Sequence, residues 1–411
     1  MRTWIRYLIH ESFISRWLYP IIYRKWLKRY QAKEGFLSGS SLHDYLDPVN
    51  IYQFHPKATV SFKLPTCIGD NYPIPQQINF YVGKTFEVTQ GEVYTFQNAY
   101  LIGENAVGLT NDGNIILDTA MDLPNVLHKC NPRLLMNYDK TPSDISIKRA
   151  VSLVHIFCNA HYVNYFHWIN DSLLLLEGLE AYQNHNDVRV IINDNTTSFQ
   201  LEYLSLLGYK KEQLVTWGNY KKASIQELIV VKSRRTGTNM DEIVAPQALT
   251  WLNCKLRSSV RPNINLPKRV FLTRQHTSSR RIVNYDELQP ILNGFDITVV
   301  NTDELNVTEQ IQLFRNIELI VAPHGAGLTN IIFSNQLTIL ELIGNVDTPD
   351  DFQWYCAYYS IAQVMQHRYS YIEGETIPLL KANRTKQIYD LKIDPIAFQE
   401  RLECLIDGIE A

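Results

Sequence analysis

The sequence predicts an α/β protein in which two parallel-sheet domains face each other across a cleft, preceded by a β-rich region. Three observations carry this. From Ala150 onward, short aliphatic runs alternate with stretches of helical length, the pattern of βαβ units. The alternation occurs in two blocks, before and after Pro262, with a connecting helix between them. From about 51 to 146 the pattern is instead short β runs punctuated by turn residues.

The bulk numbers set the frame. A chain of 411 residues, 45% hydrophobic and 20% charged, has room for two or three domains and a sizeable core. A formal net charge of −3 argues against a nucleic-acid binder that works by bulk electrostatics. The 24 Tyr and 7 Trp suit sugar or base contacts, but packing accounts for most of them. Cys67, Cys130, Cys158, Cys254, Cys356 and Cys404 show no CxxC pair or zinc spacing and read as free, mostly buried thiols of a reducing compartment. The expected location is cytoplasmic, at the inner face of the plasma membrane if the amino-terminal arm binds it.

That arm, residues 1–33, carries eight basic side chains against the single Glu11, interleaved with Trp4, Tyr7, Trp17, Tyr19, Tyr23, Trp26 and Tyr30. No apolar run approaches the roughly 20 residues that span a bilayer, and Arg6, Glu11 and Arg16 interrupt any signal-peptide core. Two readings stand: a segment lying on an anionic membrane surface, or else a solvated basic arm or a helix packed on the body. Arm and linker together make a first unit, 1–41, with Gly35–Ser41 as the linker.

The amino-terminal domain is expected over 42–257, with the β-rich part at about 51–146 as an insertion. Candidate strands there are 86–88, 93–96, 99–102 and 115–117, and Asn111-Asp112-Gly113-Asn114 reads as a hairpin turn. Strands follow at 151–157, 188–192 and 228–231, with helices at 163–182, 198–207 and 243–256. The carboxyl-terminal domain, 258–345, takes strands at 270–273, 297–300, 319–322 and 339–343. Its helices are at 308–315, 328–333 and one opened by an Asn284–Glu287 capping box. Residues 346–411 are expected to be a helical segment packing back on the body.

Three clusters carry chemistry. In Glu318–Ser334 (ELIVAPHGAGLTNIIFS) an apolar strand ends at Pro323, a turn His324-Gly325-Ala326-Gly327 follows, and a helix begins. This order presents backbone N–H groups and a positive helix end to an anion. A glycine turn of this kind is by itself more often helix–strand packing. Upstream, Arg274 directly follows a strand, and Arg280 and Arg281 precede a helix N-terminus. Guanidinium groups there are electrostatically unfavourable unless an anion compensates them, and they bind phosphate oxygens bidentately. The third cluster places Asn164, His167 and Asp171 on one helix face, with Trp168, Ile169, Leu173 and Leu176 on the others. His167 and Asp171 can hydrogen-bond as an acid/base pair in a cleft or as a satisfied core histidine. No Gly-x-Gly-x-x-Gly with a following acid, no Walker A sequence and no Asp-x-Asp triplet is present; Asp350-Asp351 is a bare loop pair.

With these clusters in this order, the chain resembles glycosyltransferase family 61. The resemblance rests on PHGAGLTN, on Arg274 with Arg280-Arg281-Ile282-x-Asn284, and on Asn164-Tyr165-x-His167-x-x-x-Asp171, and runs over roughly 85–370. It implies a GT-B fold, an inverting reaction and a nucleotide-sugar donor as co-substrate, with no tightly bound cofactor and no essential divalent metal. The acceptor implied is a glycan or a polysaccharide or lipid-linked precursor. By position, Arg274, Arg280 and Arg281 fall on the donor diphosphate side, with His324, Gly325, Ala326, Gly327 and Asn330. Glu341 matches a family glutamate, as a donor contact or a structural cap. Asn164 falls on the acceptor side, and His167 or Asp171 is the catalytic base. The alternative is a nucleotide- or glycan-binding protein of the same fold without catalysis.

Overall fold

The structure, a computed structural model, describes residues 51–68, 74–119, 138–155, 157–182, 187–218, 220–236, 243–344, 356–379 and 389–410. The basic arm, the linker, Cys130 and the Asp350–Asp351 pair lie outside the described residues.

The first described strand, β1 (Ile51–His55), is followed by a hairpin of β2 (Ala58–Ser61) and β3 (Thr85–Val88), with α1 (Gln76–Tyr81) between its strands. A meander of β4 (Gly91–Ile102), β5 (Val107–Leu109) and β6 (Ile115–Ile116) leads to β7 (Ile145–Ser152). A small hairpin, β8 (Cys158–Asn159) with β9 (Tyr162–Val163), precedes a helical stretch. This consists of α2 (Tyr165–His167), a π-helical segment (Trp168–Leu173) and α3 (Leu175–Ala181). Then come β10 (Arg189–Asn193), α4 (Ser198–Leu206), β11 (Leu214–Trp217) and β12 (Lys222–Val231). The sheet order is β11-β10-β7-β12-β4-β5-β6, with β1 on β4.

This sheet corrects the expected insertion. Its first four strands are parallel, but β12 then pairs antiparallel with β4 along nearly its whole length, so the β-rich region is the far half of the same sheet. The runs 93–96 and 99–102 are one strand. Asn98 stands at a left-handed φ of 53° between them, and the pairing with β12 skips at that point. The expected hairpin turn is present: Thr110 and Asn114 close it around Gly113, whose φ of 87° suits glycine. Thr197 and Gln200 form the capping box that opens α4.

After the short pair β13 (Arg235–Thr236) and β14 (Ile243–Val244), α5 (Pro246–Ser259) starts on a proline at its first turn, as helices tolerate, and connects the halves. The second sheet is built from β15 (Arg269–Leu272), α6 (Tyr285–Gly294), β16 (Thr298–Val300), α7 (Val307–Asn316) and β17 (Leu319–Pro323). A 3-10 helix (Ala326–Phe333), β18 (Thr338–Gly344), α8 (Ala357–Val364), β19 (Arg368–Pro378), β20 (Tyr389–Lys392) and α9 (Pro395–Glu410) complete it. The order is β16-β15-β17-β18-β19-β20, parallel except for β20. β17 and β18 are buried at every residue, as central parallel strands are.

Three expectations change here. The carboxyl-terminal 346–411 is not a helical appendage: β19 extends the second sheet along seven residue pairs of β18, so this domain runs past 345 to α9. The turn after His324 leads into a 3-10 helix, not an α-helix. The Asn284–Glu287 capping box does not form, because the Asn284 amide is held by the backbone of Ile393 across the sheet edge. A full box forms instead at Asn306–Glu309, opening α7.

The thiol reading is also corrected. Cys67 and Cys404 form a disulfide across 337 residues, with Cα atoms 6.0 Å apart. The two residues meet because segment 62–67 crosses to the second sheet. Thr66 N–H donates to Tyr369 O at 2.7 Å, Lys63 N–H to Gln363 Oε1, and the Phe62 ring packs on Tyr359. Cys158 and Cys356 are buried and Cys254 is exposed, none of the three in a disulfide. The compartment reading, which rested on unpaired cysteines, loses its basis.

Candidate functional site

The site is assembled by the second sheet. β15 and β17 are neighbouring parallel strands, so the residues just past their carboxyl ends, Arg274 and His324, come side by side. This is the edge where open parallel sheets bind ligands. Arg274 lays its guanidinium against the backbone of Gly325. Its Nε is buried and has no hydrogen-bond acceptor among the described residues. Arg280 is delivered by a residue in the left-handed region (φ 59°), whose N–H donates to Tyr389 O of β20 at 2.6 Å. Burial, and then the neighbouring Arg280 charge, push the Arg274 guanidinium down to about 10. No carboxylate pairs with either arginine among the described residues. Two adjacent, partly buried cations with no carboxylate ion-paired to them among the described residues are suited to hold an anion.

His324 is buried and lies against the ring of Tyr358, 5.1 Å between centroids. Its Nδ1 is 2.6 Å from Glu341 Oε1. Strand register explains the contact: Ala322 on β17 faces Glu341 on β18, and His324 N–H donates to Leu342 O. Burial holds the imidazole below its ordinary value, Glu341 pulls it back up, and Arg280 and Arg274 push it down again.

The second cluster sits in the first half. Asn164 caps α2, accepting from His167 N–H. The π-helical turn that follows, a form common at functional sites, carries Asp171. His167 stacks on Phe157 at 4.0 Å, and its Nδ1 is 2.6 Å from Asp171 Oδ2. Asp171 Oδ1 lies 2.9 Å from Arg235 Nε, off the hydrogen-bond axis. Burial raises the Asp171 carboxyl, but Arg235 and His167 outweigh it and leave it below its ordinary value. Nearby, His155 is fully buried, pushed down to about 4 by desolvation and hydrogen-bonded to Ser172 at 2.9 Å.

The two clusters belong to one region. Tyr165, two residues before His167, donates to Asn330 Oδ1 at 2.6 Å and lies 2.7 Å from Tyr203 OH. Asn330 Nδ2 in turn donates to Gln310 Oε1. Phe166 packs edge-on to Tyr358, whose other neighbour is His324.

The structure redistributes the roles expected of individual residues. Arg274, Arg280, His324, Gly325, Ala326 and Gly327 come together, and so do His167 and Asp171. Arg281 is not at the anion pocket: its guanidinium grips Asp390 at 2.6 and 3.0 Å on the β20 side. Asn330 is fully buried and its amide is occupied by Tyr165 and Gln310, so it joins the two halves and is not placed to meet a ligand. Glu341 is fully buried mid-strand, with its second oxygen accepting from Tyr369 OH at 2.7 Å, so it acts through His324. Asn164 is a helix cap whose amide also reaches Tyr162 OH. Sequence reading missed Arg235, Tyr358 and Tyr369. No local pattern marks them, because each acquires its partner through tertiary packing.

Among the described residues, no group of three or more His, Cys, Asp or Glu stands ready for a metal ion. No helix among them is long and apolar enough to cross a membrane. A groove of about 700 Å³, lined by Lys268, Glu318, Thr338 and Arg368 among others, opens at the opposite, amino ends of the strands.

Residues 165–340, which include His167, Asp171, Arg274, Arg280 and His324, match the family model "Glycosyltransferase 61". A stretch of 89 residues is 32% identical to the EGF domain-specific O-linked N-acetylglucosamine transferase of Drosophila melanogaster. That stretch covers 21% of this chain and 17% of the relative.

Proposed function

We propose, from the premise that this chain is a glycosyltransferase of family 61, that it moves a sugar from a nucleotide-sugar donor to a glycan or lipid-linked acceptor with inversion at the anomeric carbon. The observation that supports this reading best is the pair Arg274–Arg280, two cations with no carboxylate partner among the described residues, beside the turn at the carboxyl ends of β15 and β17. On this reading the two sheets are the two domains of a GT-B arrangement, and the donor diphosphate sits against the second.

As the bond from the anomeric carbon to the diphosphate breaks, negative charge grows on the leaving phosphate. Arg274, Arg280 and the N-terminus of the 326–333 helix stabilise it; preorganised donors of this kind are worth about 3 kcal/mol each. No step requires a metal ion. Of the two base candidates, His167 is favoured. Asp171 is held low by Arg235 and is already engaged with the ring, so it orients the imidazole. His167 takes the acceptor hydroxyl proton while the acceptor oxygen attacks the face opposite the diphosphate. The basic arm 1–33 would bring the enzyme to an anionic membrane surface carrying the acceptor.

The test is a turnover screen over nucleotide sugars, repeated with Arg280→Ala and His167→Gln. Transfer by the wild type, lost in both variants with the fold intact, is expected. Binding of a nucleotide sugar without hydrolysis or transfer would favour the non-catalytic alternative.

A further inference from the structure

The two histidines of this region are held alike, Nδ1 to a buried carboxylate at 2.6 Å, but their carboxylates differ in one respect. Asp171 has a guanidinium beside it, Arg235. Among the described residues, Glu341 has no cationic side chain within ion-pair distance except the His324 imidazole, and its other oxygen accepts from the neutral Tyr369 hydroxyl. A fully buried carboxylate with no permanent cation is a standing cost, lowered whenever the imidazole carries a proton. Among the described residues, His324 faces Glu341 on β18, Tyr358 on α8, and Arg274 and Arg280 from the loop after β15, with Tyr369 on β19 behind Glu341. Of these groups, the two arginines oppose the proton electrostatically, and they are the groups a diphosphate would neutralise.

We propose that His324 and Glu341 act as one unit that takes up a proton when a diphosphate enters the Arg274–Arg280 pocket, the resulting imidazolium sharing the charge of the leaving group. His324 is then a ligand-contacting acid and Glu341 a positioning residue. This rests on the donor-site reading above. The balance is simple. The proton comes from solvent on binding and returns to solvent with the departing nucleoside diphosphate. It is separate from the acceptor proton taken by His167, and glycosyl transfer breaks one carbon–oxygen bond and forms another. Because a free nucleoside diphosphate carries more charge than its sugar ester, uptake is larger for the product, which is the state that resembles the departing group.

The experiment is isothermal titration of the full chain with uridine, guanosine, adenosine, cytidine and thymidine 5′-diphosphates at pH 8, in buffers of different ionisation enthalpy. At that pH the nucleotides are fully ionised, so protons taken up belong to the protein. The tightest binder is expected to bring about 0.5–1 proton per molecule bound. His324→Gln is expected to abolish the uptake and bind roughly tenfold more weakly, and Glu341→Gln to reduce it. Tight binding with no proton uptake by the wild type overturns the inference and leaves the donor site standing, as does uptake that persists in His324→Gln. Failure of every diphosphate to bind overturns the donor-site reading, and the inference with it. The wild-type proton count decides even if a variant does not fold.

Discussion

Gly325 leaves room for Arg274: a Cβ on that glycine would lie 2.3 Å from Nη1 and 3.1 Å from Cζ of the guanidinium. The need is for space. Gly325 has a φ of 172°, extended backbone that any residue adopts. Gly325→Ala should therefore fold normally and displace the arginine. A loss of about 10–100-fold in nucleoside diphosphate affinity is expected, with a melting temperature within a few degrees of wild type. Calorimetry on the purified variant checks it; unchanged affinity would remove Arg274 from the anion site.

The His167–Asp171 pair should behave in the opposite way. His167→Gln is expected to lower kcat by about 10²–10⁴-fold with little change in donor KM if, as proposed, it takes the acceptor proton. Asp171→Asn should also lower kcat, because it loosens the ring and leaves the Arg235 charge without its counter-ion. A donor KM that rises as much as kcat falls would move His167 to the donor side.

How much of this was legible in the sequence depended on whether the signal was local. The strand–turn–helix run at 319–333 and the arginines at 274 and 280 lie within one βαβ block, where periodicity alone sets strand ends and therefore what projects from them. His167 and Asp171 sit one helical turn apart, and even the π-helical distortion leaves them paired. What failed was long-range. Glu341, read as a ligand contact or a cap, is buried by β19, a strand that the alternation Arg368-Tyr369-Ser370-Tyr371 permits but does not announce. Arg281 and Asn284 look like ligand and cap residues until β20 arrives with Asp390 and Ile393. The Cys67–Cys404 pairing depends on a crossing of segment 62–67 that no spacing encodes.

The Tyr165 hydroxyl joins the halves through Asn330 and Gln310, and also meets Tyr203 of its own half. Tyr165→Phe leaves the buried Asn330 carbonyl without its 2.6 Å donor, at a cost of about 1–3 kcal/mol. Chemical denaturation of the variant should show that loss. No change in stability would mean that water replaces the hydroxyl.

Acid should destabilise the fold well above the carboxylate range. His155 and His367 are both held neutral by burial, pushed from 6.5 down to about 4. Below pH 6.5 the unfolded chain takes up their protons and the native state does not. Stability is therefore full above 6.5 and falls progressively toward pH 4, by on the order of 3 kcal/mol per histidine. Melting temperature measured from pH 7.5 to 4.5 should fall, and His367→Gln should flatten the slope. A parallel curve for the variant would contradict the assignment.

Reducing the disulfide, or Cys404→Ser, should lower stability by roughly 2–4 kcal/mol, given the length of chain it closes. Thermal scans with and without reductant test this, and coincident transitions would show that packing of segment 62–67 suffices.

The same bond gives the molecule a second joint. The halves are connected once along the backbone through α5, and again where segment 62–67, continuous with the first sheet through β4, is riveted to α9 behind the second. Backbone and disulfide together close a covalent ring, so a backbone cut anywhere between 68 and 403 would leave both fragments joined through Cys67–Cys404.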